Sequence, residues 1–205
     1  MTFLEAVNTL LSVIGEAPVS SLSDIGGNTI SDAALASRTL KEVDRDVQAE
    51  GWQFNTDQSV ELQKDSKGQF PIPGNSLRAN FSPSRYPDCQ YVVRGKRVYD
   101  RKHQSYQIDC ETLIVDQMVT QLEWDDLSHA SQQYITIRAA RIYSDRFINS
   151  NVIYTYTSQD EQYARSQMIR AEEESLSNNL LWGNDRGMGQ GLGYIPAAGQ
   201  QYRSN

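Results

Sequence analysis

The chain has 205 residues, 39% of them hydrophobic, and 19 basic against 26 acidic side chains give a formal net charge of −7. The apolar fraction excludes a disordered chain and is enough for one large domain or two small ones. A pI near 4.9 is the opposite of the basic footprint that releases counterions from phosphates, which argues against tight binding of DNA or RNA.

The N-terminal segment MTFLEAVNTLLSVIGEAP lacks a basic leader and is interrupted by Glu5, Asn8 and Glu16, so it reads as a helix of the mature protein. Leu4, Val7, Leu11 and Ile14 form its apolar stripe, and Gly15 followed by Pro18 ends it. A second helix is expected from Asp32 to Glu50, with Ser31 as N-cap, Ala36, Leu40, Val43 and Val47 on one face, and Arg38 and Glu42 paired opposite. Gly51 stops it, and the chain passes directly into Trp52 and Phe54, whose alternation with Gln53 and Asn55 predicts a strand. Residues 52–122 then read as short strands. Val60 and Leu62 alternate with polar neighbours, the proline-rich stretch from Phe70 to Cys89 reads as edge and loop, QYVVRGKRVYDR predicts a hairpin around Gly95, and ETLIVDQMVTQLEW supplies a long strand.

Helix returns near Ser128, with Ile135, Ala139, Tyr143 and Phe147 in an i+4 row, and again at Ser158, where Glu161 is placed for a capping box and the helix is expected to end near Ser175. The order α, α, β, α, α predicts an α+β fold. Residues 1–51 and 123–177 would form a discontinuous helical bundle, 52–122 an inserted antiparallel β module, and 178–205 an extended glycine-rich tail. That tail, with Trp182 and Tyr194 as its large aromatics, cannot make a core of its own and is expected to order by docking on another chain.

Few residues suggest chemistry. The spaced glycines of GMGQGLG have no strand before them and no helix after them, so they do not read as a phosphate loop. Glu123, Asp125 and Asp126 around Trp124 are the first candidates for paired-carboxylate hydrolysis, although acidic residues just before a helix favour its positive end, which is the stronger reading. His103 and His129 have no second ligand at metal spacing along the chain, and Cys89 and Cys110 form neither a CxxC pair nor a disulfide framework. No cofactor or metal is expected. Glu172, Glu173 and Glu174 read as a solvated face, or as a channel lining in an assembly.

The successive segments AVNTLLSVIGEAPVSSL (6–22), VQAEGWQFNTD (47–57), FPIPGNSLRA (70–79), GKRVYDR (95–101) and LEWDDLSHASQQYITIRAARIYSDRF (122–147) resemble, in this order, the tail tubular protein A family of short-tailed phages of the T7 type. The resemblance covers residues 4 to about 176. It implies a virion protein assembled in the host cytoplasm: a dodecameric head-to-tail adaptor ring between the portal and the tail nozzle, tail tubular protein B, with tail fibres anchored nearby. Genomic DNA would pass through without tight binding, because an acidic lumen repels the duplex, and no membrane insertion is expected. Within that reading Gly51, Trp52 and Phe54 form a junction that sets the β module against the bundle, and Arg94, Arg97, Tyr99, Trp182 and Tyr194 are candidate interface residues. A tail-associated hydrolase of cell wall or polysaccharide, and a neck or tail-completion protein of another phage type, are the alternatives.

Overall fold

The computed structural model of the chain describes residues 1–21, 31–147 and 158–182. Among the described residues the helices are α1 (Phe3–Val13), α2 (Asp32–Ala49), α3 (His129–Phe147) and α4 (Ser158–Trp182), and the strands are β1 (Thr56–Gln63), β2 (Ser76–Asn80), β3 (Tyr91–Arg94), β4 (Arg97–Asp100) and β5 (Thr112–Thr120). The fold is α+β, as the segregation of patterns predicts. Met1–Glu172 form one compact unit, and a second unit, Glu173–Asn205, contributes the end of α4.

The helices begin and end where local chemistry dictates. In α1 the Thr2 hydroxyl accepts the Glu5 amide at 3.2 Å while the Glu5 carboxylate accepts the Thr2 amide at 2.7 Å, a reciprocal cap. At the other end Gly15, at φ +80°, lets Glu16 N–H reach Leu11 C=O (3.1 Å) and Gly15 N–H reach Ser12 C=O (3.2 Å), so the last carbonyls are satisfied. Ser31 caps α2 by accepting the Ala34 amide at 3.2 Å. Val7, Leu10, Leu11, Leu40, Val43, Val47, Ile135 and Tyr143 are buried in one helical core, and Ala6, Ala36, Ala139 and Ala140 allow the helices to approach closely. Tyr143 satisfies its buried phenol by donating to Asp32 C=O at 3.0 Å, which ties α3 to the start of α2.

Three expectations are corrected in the helices. Glu42 does not spend its carboxylate on Arg38 within α2; it takes Arg146 of α3 in a two-pronged contact at 2.9 and 3.1 Å, a geometry an i+4 pair on one helix cannot match. Glu161 is no capping partner, since it binds Arg141 and, at 3.8 Å, Arg138, both on α3. Finally, α4 runs past Ser175 to Trp182, because the first glycine after Gly95 is Gly183.

In the strand-rich region β5 is central, flanked by β1 and β2 in antiparallel order β1-β5-β2. Its buried Leu113, Val115 and Met118 join Leu62, Phe70, Ile72, Val98 and Ile108 in a second apolar core. The predicted hairpin exists as β3 and β4, paired Val93 to Val98 and Arg94 to Arg97. Gly95 at φ +56° and Lys96 at φ +60° make its turn, the left-handed pair that matches strand twist in a two-residue loop. Residues 70–72 run alongside β4, with Val98 N–H bonded to Phe70 C=O (3.0 Å) and Ile72 N–H to Lys96 C=O (2.9 Å). The strand expected at Trp52–Asn55 is instead a 3-10 turn over Gln53–Asn55, and β1 starts at Thr56. The reason is Asn55, whose buried side chain turns back to accept Trp52 N–H at 2.9 Å and to donate to Gln48 C=O (2.9 Å) and Thr120 C=O (3.1 Å).

Candidate interface site

Strand alternation gives the β3–β4 hairpin two unlike faces. Val98 and Asp100 turn inward and are buried, whereas Val92, Arg94, Arg97 and Tyr99 share the opposite face. There the Arg94 guanidinium lies 4.2 Å from the centre of the Tyr99 ring, a cation–π contact, and Tyr99 meets Tyr106 edge-on at 4.8 Å. Tyr106 is 38% exposed; Val93, 40% exposed, lies on the other face, opposite Val98. Arg97, by contrast, is half-buried and donates to the Gln69 side chain. The outward face therefore centres on Arg94, Tyr99 and Tyr106. Tyr106, which sequence reasoning missed, arrives from the loop after β4 and leaves no periodic signal.

Gly51, Trp52 and Phe54 sit together where α2 passes into the strands. Gly51 has φ +82°, and a Cβ there would meet the Arg78 guanidinium and come within 3.1 Å of a Val119 methyl, so only glycine fits without a shift. Trp52 and Phe54 are half-buried against the helical core, and the Trp52 indole donates to Val47 C=O at 2.8 Å. Gln48, fully buried, donates to Leu122 C=O (3.1 Å) and accepts Leu122 N–H (2.8 Å), so α2 also grips the segment leaving β5. Over Trp52 stands the Arg165 guanidinium at 5.8 Å from the ring, itself paired with Glu50 at 2.8 Å.

A cleft of about 880 Å³ opens nearby, lined in part by Lys41, Asp44, Asn75, Glu123, Trp124 and Asp125. Trp124 is buried, its indole bonded to Met1 C=O at 3.0 Å and its ring edge-on to Phe3 at 5.7 Å. That anchoring leaves Glu123 and Asp125 exposed at the cleft; Asp126 is exposed on the same 3-10 turn. Burial pushes the Asp44 carboxyl above the usual carboxylate range, against the Gln48 side chain that donates to it at 2.9 Å, and the charge of Glu123 adds to the rise.

At the base of the hairpin Cys89, Asp100 and His103 place their donor atoms within 4.8 Å of one another. The spacing along the chain hides this group, because Cys89 joins it only through the pairing of Tyr91 with Asp100. Burial would raise the Asp100 carboxyl, yet the His103 ring and the backbone amides of Gln90, Lys102 and His103 outweigh it and hold the group at about 2. The remaining candidate residues stand elsewhere. His129 is exposed at the first turn of α3, Cys110 is a half-buried free thiol, the side chain of Trp182 falls outside the described residues, and so does Tyr194.

Four helix-borne arginines, Arg138, Arg141, Arg146 and Arg165, are committed to ion pairs within the chain, and the hairpin presents an arginine–tyrosine face. The tail tubular protein family model matches residues 4–177, and the chain belongs to that family: it is a structural component of a phage tail. No curated protein matches the sequence. Among the described residues no helix is long and apolar enough to cross a membrane.

Proposed function

We propose that this chain is the head-to-tail adaptor of its phage, forming a dodecameric ring that joins the portal to the tail nozzle, anchors tail fibres and lines part of the DNA ejection channel. The observation that carries the reading is the family match over residues 4–177. The hairpin supports it, since desolvated Arg and Tyr are the side chains that concentrate binding energy at interfaces. So does the formal charge of −7, repeated around a ring, which keeps a passing duplex from adhering. In this reading residues 1–51 and 123–177 build the wall, 52–122 form the gripping module, and 178–205, with Trp182 and Tyr194, dock on a neighbouring subunit or the portal. Mass measurement of the purified chain, alone and with portal protein, tests it. Ring-sized species support the adaptor, and a persistent monomer that ignores the portal overturns it. Within the ring, Arg94→Ala with Tyr99→Ala should leave the circular dichroism spectrum intact while weakening capture of nozzle, fibre or portal protein roughly thirtyfold for each hot spot lost, or about 2 kcal/mol.

A second reading, hydrolysis of cell-wall or capsular polysaccharide, is favoured by Asp44, a carboxyl that burial and the charge of Glu123 push up, in the direction an acid catalyst needs, on the wall of the same cleft. Carboxamide variants of Asp44, Glu123, Asp125 and Asp126 assayed on both polymers decide it: release of reducing sugar that none of them alters sinks this reading.

A further inference from the structure

We propose that Cys89, Asp100 and His103 form a site for one thiophilic divalent cation of the Zn2+ class, which clasps the β3–β4 hairpin at its base. Cys89 lies just before β3, Asp100 closes β4 and His103 stands in the turn that follows, so a single ion would link the chain entering the hairpin to the chain leaving it. The donor atoms lie within 4.8 Å of one another. Around tetrahedral zinc, metal–sulfur distances of about 2.3 Å and metal–nitrogen or metal–oxygen distances of about 2.0–2.2 Å put neighbouring donors roughly 3.2–3.7 Å apart. A contraction of about 1 Å on the sulfur side, and a widening of under about 1 Å between Asp100 and His103, therefore closes the site.

The carboxylate is already oriented for it. Asp100 Oδ1 accepts backbone amides of Lys102 (2.9 Å), Gln90 (3.2 Å) and His103 (3.4 Å), which leaves Oδ2 turned to His103 Nδ1 at 2.6 Å. The neighbouring Lys102 is drawn aside to Asp88 at 3.6 Å. Access is open, because the His103 side chain is 60% exposed and Cys89 half-buried. A thiolate with an imidazole selects zinc or cobalt over calcium and magnesium, which demand oxygen donors. Cys89 would bind as the thiolate and His103 as the neutral ring with its proton on Nε2, any displaced proton passing to solvent. Three protein ligands leave a fourth position for water. The site needs no assumption about which partner the hairpin meets.

The full-length chain, stripped with chelator, is titrated with Co2+ as a spectroscopic probe and then with Zn2+ as competitor. One equivalent of Co2+ should produce a thiolate-to-cobalt charge-transfer band that Zn2+ abolishes, and Zn2+ alone should raise the melting temperature. Cys89→Ser should lose the band, His103→Gln should weaken binding by about tenfold or more, and Cys110→Ser should behave as the wild type. Because His103 is exposed, its variant folds whatever Cys89→Ser does. The absence of a band in the wild type, unchanged affinity in His103→Gln, or loss of the band in Cys110→Ser would each overturn the assignment.

Discussion

Among the helices, Leu10, Leu40, Ile135 and Tyr143 are sealed from water, and hydroxyls of Thr2 and Ser31 cap the starts of α1 and α2; in the strand-rich region the apolar core is smaller, and carboxylates hold the loops. Asp65 accepts the amides of Lys67 and Gln69, both at 2.9 Å. Asp116 accepts Ser82 N–H at 2.6 Å and Arg85 Nε–H at 3.0 Å. Asp100 does the same for three amides around the hairpin base. Apolar burial does not depend on pH and tolerates small slips, whereas a carboxylate that organises a turn works only while ionised and only in one geometry. The shape of the strand-rich region is thus set by specific ionised groups, and that of the helical region more by apolar packing.

The sharpest way to break this contrast is Leu40→Ala. Leu40 is fully buried, so the substitution should cost about 3 kcal/mol and lower the urea midpoint accordingly. A loss under about 1 kcal/mol would mean that the helical core is not close-packed. Next comes Gly51→Ala, expected to cost about 2 kcal/mol, since a side chain at φ +82° is strained and its Cβ crowds Arg78 and Val119. Heteronuclear NMR should then show shifts on both sides of the junction, in α2 and in β5; shifts confined to α2 would separate the two regions.

Asp100→Ala should cost less, about 1 kcal/mol, because the amides it leaves bare are partly reached by water. Its signature is pH. The carboxyls of Asp65 and Asp116, each held low first of all by a backbone amide, and of Asp100, held at about 2, lie below their unfolded values. Their stabilisation is complete above the ordinary carboxylate range and is lost as pH falls through their lowered values, about 2 for Asp100. Hydrogen exchange on acidification should therefore open the strand-rich region before the helices, with Asp100→Ala showing a shallower acid limb. The smallest effect is expected from Asp44→Asn. Burial raises Asp44, so its ionised form is disfavoured in the fold and the penalty grows as pH rises above the unfolded value. The amide should raise the melting temperature slightly at neutral pH and not at all below about pH 4; equal gains at both would assign the effect to packing.

What was legible in the sequence was what neighbours along the chain decide. Gly15, Ser31 and Gly51 mark helix ends by their own backbone and side-chain chemistry, and the hairpin turn at Gly95 follows from local rules. What was not legible depends on partners far along the chain. Trp52 and Phe54 alternate like a strand, but Asn55 curls the backbone through a bond to Thr120 that no local pattern encodes. Glu42 and Glu161 have plausible helix-borne partners and take arginines of α3 instead. Tyr106 and the Cys89–Asp100–His103 group become visible only once the hairpin has folded. The α+β class survives these misses because it rests on the order of the patterns and not on individual contacts.

Gln48 has a mechanical consequence. Its amide both donates to and accepts from Leu122, doing from a helix what a neighbouring strand does in a sheet, and one turn further Asn55 holds the Gln48 carbonyl together with that of Thr120. The chain thus leaves for the strands and returns from them at the same turn of α2, pinned there by directional bonds that resist twisting as well as separation. A displacement of β5 would be passed to α2 through these bonds, with little slack to absorb it. The β1-β5-β2 sheet is fastened to the helix like a handle, by directional bonds as well as by apolar contact.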